Sequence, residues 1–271
     1  MENLVFIKLG GSLITDKRQR YHARVETIQR LAAEIARARA ADPSLRIVLG
    51  HGSGSFGHVA ARESGYDPRT GHASPLALAE VAAAASALNH IVRRSLLDAG
   101  VPALTMPPSA SGRLQNGQLV GMALDSLPDL LALGIVPLVY GDVALHADGS
   151  GGGIASTEMV FRLLAGTLRP QRLLLLGIVE GVFERAPTDA DPRPPLLREI
   201  TPRNWEAVRA GLGGSHGTDV TGGMVAKVAD TLALVQAVPG LQARIVSGEE
   251  PGLLEQLLLN PALDVGTLLH T

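Results

Sequence analysis

The chain contains no cysteine, one tryptophan and few aromatic residues of any kind, 3% in all. Without cysteine there is no disulfide framework and no thiolate metal site. Lysine is also scarce: of 24 basic residues only Lys8, Lys17 and Lys227 are lysine, the rest being arginine. There is no basic run and the formal charge is -2, which argues against nucleic acid, whose phosphates call for clustered basic residues. Met1 to Lys8 lacks a basic start followed by a long apolar stretch, and no window of about 20 residues is free of charges or turn residues. The expectation is a cytoplasmic protein with a small-molecule partner, no nucleic acid, no membrane and no protein-held metal.

What is present is apolar side chain, 46% of 271 residues, enough to bury a large core. Short apolar runs at 4–9, 47–50, 103–106, 135–140, 173–176 and 243–246 read as buried strands. Between them Val25, Ile28, Leu31, Ala32 and Ile35 recur at helical spacing, as do Met224, Val228, Leu232 and Val235. Alternating strand and helix predicts an α/β fold, a three-layer αβα sandwich with a mainly parallel central sheet. Ligands of such sheets bind beyond the carboxyl ends of the strands. The proline-rich stretch 184–199 reads as a surface loop, and Arg169-Pro170 as the boundary between a lobe 1–170 and a lobe 171–271.

Three glycine-rich stretches fall where that rule points. Lys8-Leu9-Gly10-Gly11-Ser12 ends the first strand; its glycines let backbone N–H groups approach an anion, and Lys8 adds a point charge. His51-Gly52-Ser53-Gly54-Ser55-Phe56-Gly57-His58 follows the second strand. It also fits the dinucleotide fingerprint, but the acidic residue wanted about 20 positions later is not matched by Asp67, in a loop, or by Glu80, inside a helix. A phosphate cradle is common to both readings. His58 closes the cradle, where an imidazole can bond a phosphate oxygen. His22, His72, His90, His146, His216 and His270 are read as structural. In Gly217-Thr218-Asp219-Val220-Thr221-Gly222-Gly223, glycines open a helix from which Lys227 can reach back toward phosphate. No G-x-x-x-x-G-K-[ST] stretch occurs. Scarce lysine placed beside glycine turns suggests sites that need a compact ammonium.

In this order the motifs resemble the amino-acid-kinase superfamily and, within it, the isopentenyl phosphate kinases. The resemblance spans essentially the whole chain. Its narrower markers are the His51–His58 stretch, Leu88-Asn89, Pro107-Pro108-Ser109, Gly141-Asp142-Val143 and 219–224. It implies ATP and Mg²⁺ as cofactors, a homodimer, and transfer of a phosphate from ATP to a small alkyl monophosphate. Lys8, Lys17 and Lys227 would be the phosphate lysines, with Glu158 as their organiser and His58 on the acceptor phosphate. Gly10, Gly11 and Ser12 would meet the donor phosphates, and Gly52, Ser53, Gly54, Gly57, Gly141 and Asp142 the acceptor. Gly177, Val179, Gly181 and Val182 would line the nucleoside, with Asp219, Gly222 and Gly223 near its phosphates. The helix 74–99 would wall the organic pocket through Ala82 and Ser86, either as a roomy pocket or as a tightly packed buried helix. The chain departs from the family pattern twice: Ser53 stands where a third glycine is usual, and Ser156-Thr157-Glu158 where Ser-Gly-Asp is usual. Three other readings stay open: a kinase of another phosphate or phosphonate such as fosfomycin, an NAD-binding oxidoreductase, and a non-catalytic nucleotide sensor.

Overall fold

Period-two alternation along the first strand sets the layering of the molecule. Leu4 and Phe6 enter one apolar core while Val5, Ile7 and Leu9 enter a second on the opposite face of the sheet, as successive strand side chains must. Lys8 shares the parity of Leu4 and Phe6, so the same alternation sends its ammonium toward the first face.

The computed structural model describes residues 3–66, 74–185, 187, 188, 190–212 and 223–271. In chain order the elements are β1 (Leu4–Leu9), α1 (Gly11–Ile14), α2 (Val25–Ala41), β2 (Arg46–His51), α3 (Gly54–Glu63), α4 (Pro75–Asp98), β3 (Ala103–Thr105), α5 (Pro108–Ser111), β4 (Arg113–Gln115), β5 (Gln118–Gly121), α6 (Leu127–Ala132), β6 (Val136–Tyr140), β7 (Asp142–His146), β8 (Gly152–Ala155), α7 (Thr157–Leu168), β9 (Arg172–Gly177), β10 (Val182–Phe183), β11 (Leu196–Leu197), β12 (Glu199–Ile200), α8 (Trp205–Leu212), α9 (Gly223–Ala237), β13 (Gln242–Ser247), α10 (Leu253–Leu259) and β14 (Thr267–Leu269). An eight-stranded sheet runs β12-β14-β13-β9-β1-β2-β6-β3, parallel throughout except where β14 meets β13. One face is covered by α7, α8 and α9, the other by α2, α4 and α10. The six predicted strands are β1, β2, β3, β6, β9 and β13. Outside the main sheet, β4, β5, β7 and β8 form a four-stranded sheet, and β10 pairs with β11, so the proline-rich loop ends in a short strand.

Chain order explains where a ligand fits. From β1 the sheet continues through β2 on one side and through β9 on the other, which makes the carboxyl end of β1 a switch point and leaves a crevice there. Leu9 lies opposite both His51 and Leu176, and His51 opposite Tyr140. The turns after these four strands therefore share one edge. β9 follows Arg169, left-handed at φ 48°, and Pro170, and pairs along β1, so one sheet crosses the predicted lobe boundary.

Caps fix the helices that frame the crevice. Ser156 accepts from Met159 N–H at 3.2 Å, which starts α7 and places Glu158 in its first turn. Ser74 caps α4 in the same way, with Pro75 at the first helical position. On the opposite face the fully buried Glu34 carboxylate accepts from Arg30 at 2.7 Å and from Leu254 N–H at 3.1 Å, pinning the start of α10 to α2. By length and composition α4 is apolar enough to cross a membrane; in the fold its Val81, Ala85, Leu88, Val92 and Leu96 are buried.

Candidate active site

Two glycine turns meet back to back at the head of the crevice. A Cβ on Gly11 would lie 2.7 Å from both Cα and N of Gly54, and one on Gly52 would lie 3.0 Å from the nitrogen of Gly11. Only glycine permits so close an approach. Thr15 ties the turns together: its hydroxyl donates to the Gly11 carbonyl at 2.8 Å and accepts from Ser55 N–H at 2.9 Å. Ser53 adopts φ -77°, a conformation open to any residue, so the missing third glycine is tolerated. Its hydroxyl fills the space over Gly57, where a Cβ would come within 2.2 Å of it. That close packing accounts for Gly57.

Backbone hydrogen bonding sorts the amides. Gly10 N–H donates to the Leu176 carbonyl at 2.8 Å and Gly52 N–H to the Leu9 carbonyl at 3.0 Å, so these two are already used in holding the turns. Gly11 and Ser12 open α1 and Gly54 opens α3, positions whose N–H groups have no acceptor within the helix. These are the amides placed to meet an anion.

Lys8 on β1 pairs with Glu158 on α7 beside the turns, and the charge of Lys227 on α9 acts on the same carboxylate. The Lys8 ammonium, only 13% exposed, is ion-paired with the Glu158 carboxylate. Burial pushes that carboxyl up, but the charge and hydrogen bond of Lys8 and the charge of Lys227 outweigh it and hold the group below the usual range. The longer carboxylate at position 158 therefore reaches the lysine. Thr157, where the family pattern has glycine, donates its hydroxyl to the His51 carbonyl at 2.7 Å and fills the space over Gly50. Below Lys8, Phe161, Leu173, Leu175 and Leu234 line a shallow cleft open to solvent, with the pair Arg162–Asp230 at 3.7 Å also in its lining.

On the far side of the second turn lies a wall of mixed character. A Cβ on Gly141 would stand 3.9 Å from Ser53 N. Asp142, 2% exposed, accepts from Ser109 Oγ at 2.6 Å and Ser109 N–H at 3.1 Å, while its Oδ1 finds no partner among the described residues. Burial raises its carboxyl, against the bonds from Ser109. Burial, joined by the Asp142 charge, pushes the Tyr140 phenol up to about 12, with the Ser86 hydroxyl acting against them. Ala82 packs beside Ala60, Val81 and Val143. Both residues expected from the 74–99 helix thus face this wall.

His51 is wholly buried, with Nδ1 3.1 Å from the Gly52 carbonyl, Nε2 3.0 Å from the Asn89 amide and its ring stacked on Tyr140 at 5.5 Å. Burial lowers its pKa to about 4, the Gly52 carbonyl opposing. The unfolded ring titrates near 6.5, so between pH 6.5 and 4 the unfolded chain binds the extra proton. Stability is therefore expected to fall as pH drops through that window, by up to about 3 kcal/mol from this group. Urea unfolding across the window should show a shallower fall in His51→Asn than in the wild type; parallel curves would contradict it.

The other expected site residues divide by accessibility. His58 is exposed on α3, one turn beyond Gly54. Lys17 is exposed in the turn closed by the Thr15–Ala23 bridge, and that turn leans on α3 through the edge-to-face pair Tyr21–Phe56 at 5.7 Å. Gly177 and Val179 are partly exposed beside the crevice. Gly181 and Val182 differ from the expectation: Val182 is a fully buried core residue whose N–H donates to Thr267 Oγ1 at 2.8 Å, and Gly181 is packed against the same threonine. Gly223 opens α9 at φ 64°; Asp219 and Gly222 lie outside the described residues. The sequence reading missed Thr15, Thr157 and Tyr140 and gave His51 no role, because their contacts link segments far apart in the chain.

The amino acid kinase family model matches residues 3–247. The isopentenyl phosphate kinase of Methanothermobacter thermautotrophicus is 34% identical over 263 residues, 94% of this chain and 95% of that protein. The isopentenyl phosphate kinase of Haloferax volcanii is 37% identical over 258 residues, 92% of this chain and 97% of that protein. An X-ray structure of isopentenyl phosphate kinase is similar at a TM-score of 0.79 and 30% identity, with 98% of this chain and 99% of that one covered. With paired glycine turns, the Lys8–Glu158 pair and this likeness along its length, the chain belongs to the amino acid kinase family and groups there with the isopentenyl phosphate kinases.

Proposed function

We propose that the chain transfers the terminal phosphate of ATP to isopentenyl phosphate, giving isopentenyl diphosphate and ADP. The observation that carries the proposal is Lys8, paired with Glu158 and near Lys227, standing at two glycine turns packed back to back. One turn would hold the donor through Gly11 and Ser12, the other the acceptor through Ser53, Gly54 and His58. An acceptor phosphate oxygen is already anionic near neutral pH, so it attacks the terminal phosphorus without a general base as the bond to the departing ADP oxygen breaks. Repulsion between the two phosphates is the obstacle, roughly 4 kcal/mol for each unit-charge pair at about 4 Å and an effective dielectric of about 20. Lys8, Lys17, Lys227 and the helix-start amides offset it. Mg²⁺ would ride on the nucleotide phosphates, where it would neutralise charge. Residues 1–170 would bind the acceptor and form a homodimer, and 171–271 would bind the nucleotide.

The test is an assay with ATP, Mg²⁺ and a panel of acceptors: the monophosphates isopentenyl phosphate and geranyl phosphate, and the phosphonate fosfomycin. Isopentenyl phosphate is expected to give the highest kcat/KM; transfer to fosfomycin without transfer to isopentenyl phosphate would overturn the assignment. His58→Ala is expected to lower kcat/KM for the acceptor by about a hundredfold, the scale of losing one positioned donor to a developing phosphate charge. His58→Gln should restore part of it, and wild-type acceptor kinetics in His58→Ala would remove the residue from the scheme.

A further inference from the structure

The protonation of His51 can be derived bond by bond. A carbonyl only accepts, so the ring nitrogen facing the Gly52 oxygen at 3.1 Å, Nδ1, carries the proton. A wholly buried ring is neutral and has one N–H, so Nε2 is an acceptor and the group 3.0 Å from it must be the Asn89 amide nitrogen. Asn89 Oδ1 then faces Thr105, whose hydroxyl donates to it at 2.8 Å. A directed chain of bonds thus runs from Thr105 on β3 through Asn89 on α4 and His51 to the Gly52 carbonyl in the cradle.

The neighbouring peptide groups are fixed in other ways. The His51 carbonyl accepts from Gly141 N–H at 3.1 Å and from Thr157 at 2.7 Å, and Gly52 N–H donates to Leu9. That leaves the Gly52–Ser53 peptide, which follows a residue with no Cβ to restrain it. Because a trans peptide is planar, holding its carbonyl against the imidazole turns the Ser53 N–H to the opposite side, where α3 opens.

We infer that His51 is a positioning residue, held by Asn89 in its Nδ1–H form so that the Gly52–Ser53 peptide presents the Ser53 N–H to the acceptor phosphate. The inference rests on the phosphate-acceptor reading of this cradle. It gives His51 and Asn89 a purpose that their distance from any reacting atom otherwise hides.

Two variants and two spectra test it. His51→Phe keeps the ring and its stacking on Tyr140 but loses the donor; His51→Asn keeps a donor close to the Nδ1 position. In His51→Phe the acceptor KM is expected to rise about tenfold, the scale of one hydrogen bond, with kcat and the KM for ATP within about twofold; His51→Asn should restore most of the acceptor KM. Nitrogen NMR of the wild type at pH 7 should show the Nδ1–H tautomer, and the Ser53 amide should shift on titration with inorganic phosphate. An unchanged acceptor KM in folded His51→Phe, an Nε2–H ring, or a Ser53 amide indifferent to phosphate would overturn the inference. Should His51→Phe not fold, the two wild-type spectra decide it. Should no monophosphate be phosphorylated at all, the functional assignment fails while the tautomer and the phosphate titration still report on His51.

Discussion

Replacing Lys8 with alanine is expected to lower turnover at least about a thousandfold while leaving the chain folded. Of the three lysines, this one is fixed in a strand at the switch point of the sheet, and its ammonium is directed by the parity of β1 rather than by a loop. Removing it deletes the charge proposed to lie between donor and acceptor, and roughly 4 kcal/mol of unrelieved repulsion corresponds to about three decades in rate. The fold should survive because Lys8 holds its place through backbone ladders to Gly50 and Leu175. Glu158 loses its ion pair but keeps the charge of Lys227 nearby and, at 40% exposure, contact with water. Lys8→Arg should not rescue the rate, since a planar guanidinium does not replace a compact ammonium in this confined position. Single-turnover rates alongside circular dichroism measure both halves of the expectation. A folded Lys8→Ala chain with wild-type rates would show that the charge between the phosphates comes from elsewhere.

Of the six strands of the main sheet legible in the sequence, most carry apolar runs buried on both sides, β3 with its exposed Leu104 being the exception, and β1 matches its predicted bounds of 4–9. The two-residue strands β10, β11 and β12 carry too little pattern to stand out, and β4, β5, β7 and β8 are short strands with exposed positions. β4–β5 and β7–β8 are local hairpins, while the β4–β7 and β12–β14 pairings join segments distant in the chain. The site divides along the same line. Lys8, the paired glycines and Ser53 could be found because each sits in a local turn motif. Gly10 and Gly181 show the limit of motif reading: a glycine can be required by a neighbouring carbonyl or a packed threonine as readily as by a ligand. Asn89 was visible only as a family marker, and the reason for it lies in Thr105 and His51, 16 and 38 positions away.

Gly54→Ala is expected to destabilise the chain by about 3 kcal/mol or more and to abolish acceptor binding in whatever fraction still folds. Gly54 sits at φ +50°, which costs an alanine roughly 1–2 kcal/mol by itself. The new Cβ would also stand 2.2 Å from Thr15 Oγ1, 2.7 Å from Thr15 Cγ2 and 2.8 Å from the Gly11 carbonyl oxygen. Thr15 cannot simply rotate away, because its hydroxyl is bonded at once to the Gly11 carbonyl and to Ser55 N–H. The clash must therefore push the two glycine turns apart, and with them the amides that would hold donor and acceptor. A second substitution separates the causes. Thr15→Ala gives up two hydrogen bonds but clears the atoms nearest the new methyl, leaving the carbonyl contact and the positive φ. The double variant should thus be less unstable than the sum of the two singles, by about 1–2 kcal/mol of coupling, measured by denaturant unfolding of all four chains. Strictly additive losses would mean that Thr15 yields freely and that the two turns are not held together through it.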